Sequence, residues 1–167
     1  MELRLGYKDN AGPGRVKDGI KFWPVYLCFI IFGAIIPFTK PEPKVTTLLL
    51  SLFIALAVGF LAVGLLIRLL TAVNGVLEQN SRQLAREAVS TGMLFMIPFT
   101  VLAVLAQLLL HWDAVMPFAS AAIMTAAATA GAEVMKKGAT GMKNVLLPSV
   151  VAFILSTGWM MLVGLLP

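Results

Sequence analysis

Five long runs of apolar residues alternate with short polar segments along the chain. A helix needs about 20 mostly apolar residues to cross the ~30 Å hydrocarbon core of a bilayer, and each run is close to that length. The first run is short but uncharged, and the fourth is rich in Ala and Thr, so we expect the fourth to insert with help from its neighbours. The pattern predicts an all-α fold, a polytopic transmembrane helical bundle of five spans. The predicted spans are 22–38, 45–67, 93–110, 115–135 and 145–166.

The polar segment between the second and third spans also carries a helical pattern. From Ser81 the pattern continues to Leu110, a stretch of 30 residues that would be about 45 Å long. Because the hydrocarbon core is only ~30 Å thick, the third helix should project beyond the membrane. Pro98 should kink it, since proline lacks the N–H and its ring clashes with the preceding turn. With the end of the second helix, the projecting part forms a predicted helical hairpin at about residues 70–92, and its base would be packed by Val73, Val76, Leu77, Leu84 and Ala88.

The composition places these helices in a membrane rather than in the core of a soluble domain. Of the 167 residues, 59% are hydrophobic and 13% are charged, and the mean hydropathy is +0.92. Soluble domains carry about 25% charged residues, and a particle this small has too much surface for so few charges to cover. Intrinsic disorder is excluded as well, because it requires low hydrophobicity. We therefore predict an integral membrane protein.

The Lys and Arg residues are distributed unevenly between the predicted loops. With five spans and a cytoplasmic N-terminus, eleven of them lie on the cytoplasmic side and two lie outside. If 115–135 did not cross, the division would be eight against five. The positive-inside rule therefore favours five spans, with the N-terminus cytoplasmic and the C-terminus outside. The predicted parts are a cytoplasmic N-terminal tail, 1–21, and a transmembrane domain, 22–167, that includes the cytoplasmic hairpin.

The same loop cations explain the basic pI of about 9.7. Cations that flank membrane spans act as anchors at the headgroups, so the charge does not call for a nucleic-acid partner. The predicted location is the cell (plasma) membrane, and the compact chain is typical of a bacterial protein.

Few residues of the chain can carry chemistry. Cys28 and His111 are the single Cys and the single His, so one chain cannot build a Cys/His zinc site, a thiolate cluster or a disulfide. Ionisable residues inside spans are the usual functional groups of membrane proteins, yet no charge lies in the middle of a predicted span. The His-Glu-x-x-His and Gly-x-Ser-x-Gly signatures are missing. We predict that the protein is not an enzyme and binds no cofactor or metal.

The fourth span has one organised polar face. Thr125, Thr129 and Glu133 recur every four residues, so they share one side of a helix. A stripe of small residues beside such a face lets helices approach closely, and Thr hydroxyls bond across helices or to their own backbone. We interpret the face as a packing surface, with the polar lining of a solute path as the alternative. The small residues are Ala122, Ala126, Ala130 and Gly131. We expect an ionised Glu133 paired with one of four cations, Lys136, Lys137, Arg82 or Arg86.

Two functions are compatible with this pattern. The first is a non-enzymatic integral membrane protein that acts by helix–helix association, as an assembly, scaffold or accessory subunit. Its partners would be the lipid bilayer and either itself or another membrane protein. The second is a small oligomeric transporter or channel with a polar path along the fourth span. For the first function, the docking surface would be the polar side of the hairpin, with Glu78, Arg82, Arg86 and Glu87.

Overall fold

The structure, a computed structural model, describes residues 22–39, 44–74, 81–110, 115–136 and 141–164. These residues form six α-helices and one short 3-10 helix, and none of them lies in a strand. The predicted all-α fold is therefore confirmed for the described part of the chain. The helices are α1 (Trp23–Ile35), continued by the 3-10 helix η1 (Ile36–Thr39), α2 (Val45–Asn74), α3 (Ser81–Met93), α4 (Met96–Leu110), α5 (Val115–Lys136) and α6 (Lys143–Gly164).

Four helical stretches are long and apolar enough to cross a membrane, and they match the second to fifth predicted spans. They are Val45–Val73, Arg82–Leu109, Val115–Lys136 and Lys143–Val163. The first predicted span corresponds to a shorter apolar helix, Trp23–Phe38. It rises about 25 Å, which is less than the ~30 Å of a hydrocarbon core.

The antiparallel pair α1 and α2 packs closely at glycine positions. A Cβ atom added at Gly33 would come within 2.8 Å of the Ala55 Cβ atom, so a larger residue would force the helices apart. At the same level the buried Ser51 hydroxyl donates a hydrogen bond of 2.7 Å to the Gly33 carbonyl oxygen. Close backbones joined by a hydroxyl are a common way for helices to associate in lipid, where apolar side chains give no preference for protein over acyl chains.

Helix α5 lies between the α3–α4 pair on one side and α6 on the other. A Cβ atom added at Gly92 of α3 would come within 2.9 Å of the Ala130 Cβ atom, and it would overlap the Ala126 carbonyl oxygen. On the other side of α5, a Cβ atom added at Gly131 would overlap the Asn144 carbonyl oxygen of α6. The small residues of α5 thus pack against both neighbours, as the sequence predicted.

Trp159 of α6 fills the centre of the bundle. It is 1% exposed, and its ring lies 5.6 Å from that of Phe29 and 6.2 Å from that of Phe32, measured between centroids. These aromatic contacts tie α6 to α1, which is its most distant helix along the chain. The buried side of α6 continues towards its N-terminus through Ser156, Ala152, Pro148 and Asn144.

The long helix predicted from Ser81 to Leu110 is present, but it is broken between α3 and α4 at Leu94–Phe95. Pro98 has no N–H to donate to the Leu94 carbonyl, and its ring crowds that oxygen. The Leu94 carbonyl accepts instead from the N–H of Ile97, at 3.2 Å, which is the tighter bond of a 3-10 turn. The α-helical pattern is therefore interrupted one turn before Pro98, where the sequence predicted a kink.

Candidate functional site

The predicted polar face of α5 makes its described contacts within α5 itself. The Thr129 hydroxyl donates a hydrogen bond of 2.7 Å to the Thr125 carbonyl oxygen. The Lys136 ammonium lies 2.7 Å from a Glu133 carboxylate oxygen, so Glu133 pairs with one of the four predicted cations; another of them, Lys137, lies outside the described residues. Thr125, Thr129 and Glu133 are all half-buried. The face therefore lies at the edge of the packed core.

The predicted docking hairpin is mostly built into the bundle. Ala85, Ala88 and Val89 of α3 are fully buried, because α3 packs against both α2 and α5. On the polar side, the Gln83 amide donates a hydrogen bond of 3.3 Å to the Glu87 carboxylate. Arg82 is exposed, whereas Arg86 and Glu87 are half-buried. Glu78, Val76 and Leu77 lie outside the described residues, so their predicted places in the hairpin stay predictions.

A basic groove of about 490 Å³ runs between α2 and α3. Its α2 wall is one face of the helix, made by Gly64, Ile67, Arg68, Thr71 and Ala72, which are related by spacings of three and four positions. Its α3 wall is made by two arginines four residues apart, and no described acidic residue lines it. We call it the arginine groove, and the end of the bundle that contains it the arginine end. The lining residues are Gly64, Ile67, Arg68, Thr71, Ala72, Arg82 and Arg86.

The sequence indicated only part of the arginine groove. In the sequence, Arg68 is a single cation at the end of a predicted span, and its side chain is expected to extend towards the headgroups. The structure places it beside Arg82 and Arg86, two residues predicted for docking. The signal in the sequence is Gly64, four residues before Arg68, which leaves the wall of the groove without a side chain. A Cβ atom added there would meet nothing within 4 Å.

A second groove, of about 410 Å³, lies between the end of α1 and the end of α4. It is apolar except for Gln107, whose Oε1 atom is buried and has no hydrogen-bond partner among the described residues. Gln107 is not among the site residues predicted from the sequence, although it is the one amide side chain in the apolar run 93–110. We call this the glutamine groove. It is lined by Ala34, Ile35, Phe38, Val104, Gln107 and Leu108.

Two further polar groups of the described interior are the Asn144 amide and the Cys28 thiol. Asn144 is fully buried, and neither side-chain polar atom has a partner within the described part of the chain. Buried polar groups normally have one, so Asn144 marks a polar spot in the α5–α6 contact. Cys28 is a buried free thiol. Across the described ranges, no group of three His, Cys, Asp or Glu side chains lies close enough to hold a metal ion.

Comparisons with protein-family models, with curated proteins and with solved structures found no match for this chain. The structure itself defines the class of protein. It is a helical bundle with several apolar helices that can span a membrane.

Proposed function

We propose that this chain is an integral membrane protein of five spans that acts by helix–helix association, as a non-enzymatic assembly, scaffold or accessory subunit. The outer surface of the bundle supports the membrane environment. Large apolar side chains point outward from successive helices, with Phe53 71%, Leu109 72% and Ile154 62% exposed. Such a surface would aggregate in water, whereas acyl chains cover it without loss.

The proposed orientation has the arginine end in the cytoplasm and the C-terminus outside. In α2 no charged residue occurs from Val45 to Ile67, which is a rise of about 33 Å. Arg68 therefore lies at one headgroup layer and Lys44 at the other. Lys136 and Lys143 flank the short link between α5 and α6 at the arginine end, so the positive-inside rule places that end in the cytoplasm. The membrane we propose is the plasma membrane of a bacterium.

Gln107 is the observation that carries the proposal of association. Its buried Oε1 atom has no hydrogen-bond partner among the described residues, and a buried amide left without a partner costs about 1–3 kcal/mol. The groove around it is open on the outer surface, since Phe38 is 61% and Leu108 67% exposed. A neighbouring membrane helix in this groove would bury both apolar side chains, and a rotation of the Gln107 side chain would bring its amide to a donor on that helix. Gln side chains commonly bond across helices in this way.

The partner best matched to this groove is a second copy of the chain. A carboxamide carries both a donor and an acceptor, so two Gln107 side chains related by a two-fold axis can bond to each other. Two-fold dimers are the commonest closed assemblies, and they use the same patch on both subunits. The proposed dimer would then be the unit that takes part in a larger membrane assembly.

Energy transfer between donor- and acceptor-labelled full-length chains in liposomes tests this function. We expect transfer that falls as lipid dilutes the protein, and we expect Gln107→Leu to weaken the dimer because it removes the paired amides. Ala34→Phe, which fills the groove from α1, should weaken it too. Gln83→Leu is the matched control, because it removes the same side chain from α3, far from the groove.

Two results would contradict the proposal. A parent chain that shows no transfer at any protein-to-lipid ratio is not a homodimer. Transfer by Gln107→Leu and Ala34→Phe equal to that of the parent would mean that an acyl chain, and not a second subunit, fills the glutamine groove.

A further inference from the structure

The arginine groove concentrates positive charge at one place on the bundle. Arg68 and Arg82 are exposed and Arg86 is half-buried, and all three line the same groove with no described acidic residue among the lining. The Thr71 hydroxyl donates to the Ile67 carbonyl oxygen at 2.7 Å, so the exposed side chains of Arg68 and Arg82 are the donors that the lining offers to a ligand. Guanidinium groups bind phosphate oxygens in a bidentate manner and are weakly hydrated, which suits a phosphate ligand.

The start of α3 adds to the positive potential. Arg82 lies in its first turn, and no acidic residue is present in that turn. The N-terminal end of a helix carries a partial positive charge and unpaired N–H groups. A cation there is unfavourable, and an anion bound between Arg82 and Arg68 would relieve the repulsion.

The groove extends along α2 from the arginines towards the hydrocarbon core, as far as Gly64. Gly64 lies about 6 Å below Arg68 along α2, on the side of the hydrocarbon core. It is exposed, and a Cβ atom added there would meet no neighbour within 4 Å. Ile67 forms the wall between the two levels. The groove therefore combines cations at headgroup depth with open space over Gly64, about one turn deeper towards the acyl chains. We call this open space the acyl channel.

We infer that the arginine groove binds an anionic phospholipid of the inner leaflet, with the phosphate between Arg68 and Arg82 and the start of an acyl chain over Gly64. Basic pockets between helices on the cytoplasmic side are suited to such headgroups. A free phosphate ion would make no contact with the acyl channel, and the positive charges of Arg68 and Arg82 disfavour the choline of a zwitterionic lipid. This inference rests on the proposed membrane placement, but not on the Gln107 interface.

Native mass spectrometry of the full-length chain, released from detergent, tests the inference. The probes are phosphatidylglycerol, phosphatidylcholine and inorganic phosphate. We expect tighter binding of phosphatidylglycerol than of phosphatidylcholine. Arg68→Gln with Arg82→Gln should weaken phosphatidylglycerol binding about thirtyfold, if each arginine contributes as cations near an anionic surface do. Arg86 is kept, because it is half-buried and its replacement would also disturb packing.

Matched controls separate the groove from net charge and from general lipid contact. Lys136→Gln with Lys143→Gln removes two charges from the same end, outside the groove, and should leave phosphatidylglycerol binding unchanged. Gly64→Leu fills the acyl channel and should abolish the preference for phosphatidylglycerol, while Gly158→Leu should not. Gly158 is the matched position because a Cβ atom added there also meets nothing within 4 Å.

Three outcomes would overturn the inference. Equal binding of the two lipids would mean that the groove does not select an anionic lipid, and an acidic segment of a protein partner would then be its ligand. Binding of inorganic phosphate as tight as that of phosphatidylglycerol, unaffected by Gly64→Leu, would make it a site for a soluble phosphate. Loss of binding in the lysine control would mean that net charge alone attracts the lipid.

Lipid binding retained by Gln107→Leu, together with loss of the dimer, would show that the two grooves act separately.

Discussion

At the scale of single residues, Gly131 of α5 packs tightly against the Asn144 carbonyl of α6, because a Cβ atom added at Gly131 would overlap that oxygen. Pro148 lies four residues after Asn144 and has no N–H, so the Asn144 carbonyl oxygen has no partner one turn later in α6. That oxygen faces Gly131. A Cα–H group facing a carbonyl is a weak but recurrent interaction where helices meet. The proline and the glycine therefore work as a pair across the interface.

Gly131→Ala should lower the stability of the bundle by about 1–3 kcal/mol, which is the usual effect of overpacking a core. Thermal unfolding in detergent measures it. Gly158→Ala is the control, because the new methyl group has open space and alanine favours the helix by about 0.5–1 kcal/mol. A Gly131→Ala chain that melts with the parent would mean that α5 and α6 can separate without loss.

Glu133 shows how a correct prediction can have a small consequence. The sequence predicted a pair with a nearby cation, and the structure shows Lys136, one turn later on the same helix. The Lys136 side chain is 71% exposed and that of Glu133 24%. Pairs of this kind on a helix surface contribute about 0.3–0.5 kcal/mol. The pair stabilises the end of α5 and does not hold α5 against α3.

At the scale of elements, the break between α3 and α4 directs two segments onto one neighbour. Both α3 and α4 pack against α5, while α4 also contacts α1 and α3 also contacts α2. The two segments on either side of the break therefore share α5 and differ in their second partner. Thr100 supports the start of α4, because its buried hydroxyl donates a hydrogen bond of 2.9 Å to the Met96 carbonyl oxygen.

Pro98→Ala should straighten the helix, because it supplies the missing N–H and removes the ring that crowds Leu94. Spin labels at Gln83→Cys and Leu109→Cys, in a Cys28→Ser background, report the distance between its ends. We expect an increase towards the ~39 Å of a straight helix of that length. Pro117→Ala is the control, since proline near the start of α5 replaces no helical hydrogen bond. An unchanged distance in Pro98→Ala would assign the break to packing and not to the proline.

At the scale of the whole molecule, the described charged residues lie mainly at one end of the bundle. The arginine groove, the Glu133–Lys136 pair and Lys143 lie at that end, whereas Lys44 lies at the opposite end. The glutamine groove lies at the opposite end too, where η1 and α4 finish. The lipid site and the dimer contact that we propose would therefore face different leaflets.

Cysteine labelling in intact cells tests the membrane plan, again in a Cys28→Ser background. We expect Lys143→Cys to react only after the cells are opened, and Lys44→Cys and Asp113→Cys to react from outside. The reason is that, in the proposed plan, an even number of spans separates Lys143 from an N-terminus in the cytoplasm and an odd number separates the other two positions. Labelling of Lys143→Cys in intact cells would mean that α5 does not cross the membrane.

Much of the fold was predictable because helix length and hydropathy are local properties. The apolar runs gave α2, α4, α5 and α6, and the start at Ser81 was read from the pattern that follows it. The kink came from the covalent structure of Pro98, which acts within one turn. The small-residue stripe of α5 was also predictable as a packing surface, because Ala and Gly at helical spacing leave room for another backbone.

The two grooves were decided by the tertiary structure alone. In a soluble helix the contrast between apolar and polar sides shows which face is buried, but in these helices the lipid-facing and core-facing residues are both apolar. The sequence therefore does not reveal the rotation of each helix. Contacts at Gly33, Gly92 and Gly131 set that rotation, by joining segments far apart in the chain. Only then does Arg68 come beside Arg82 and Gln107 beside Phe38, because the position of a side chain in a bundle depends on how its helix is turned.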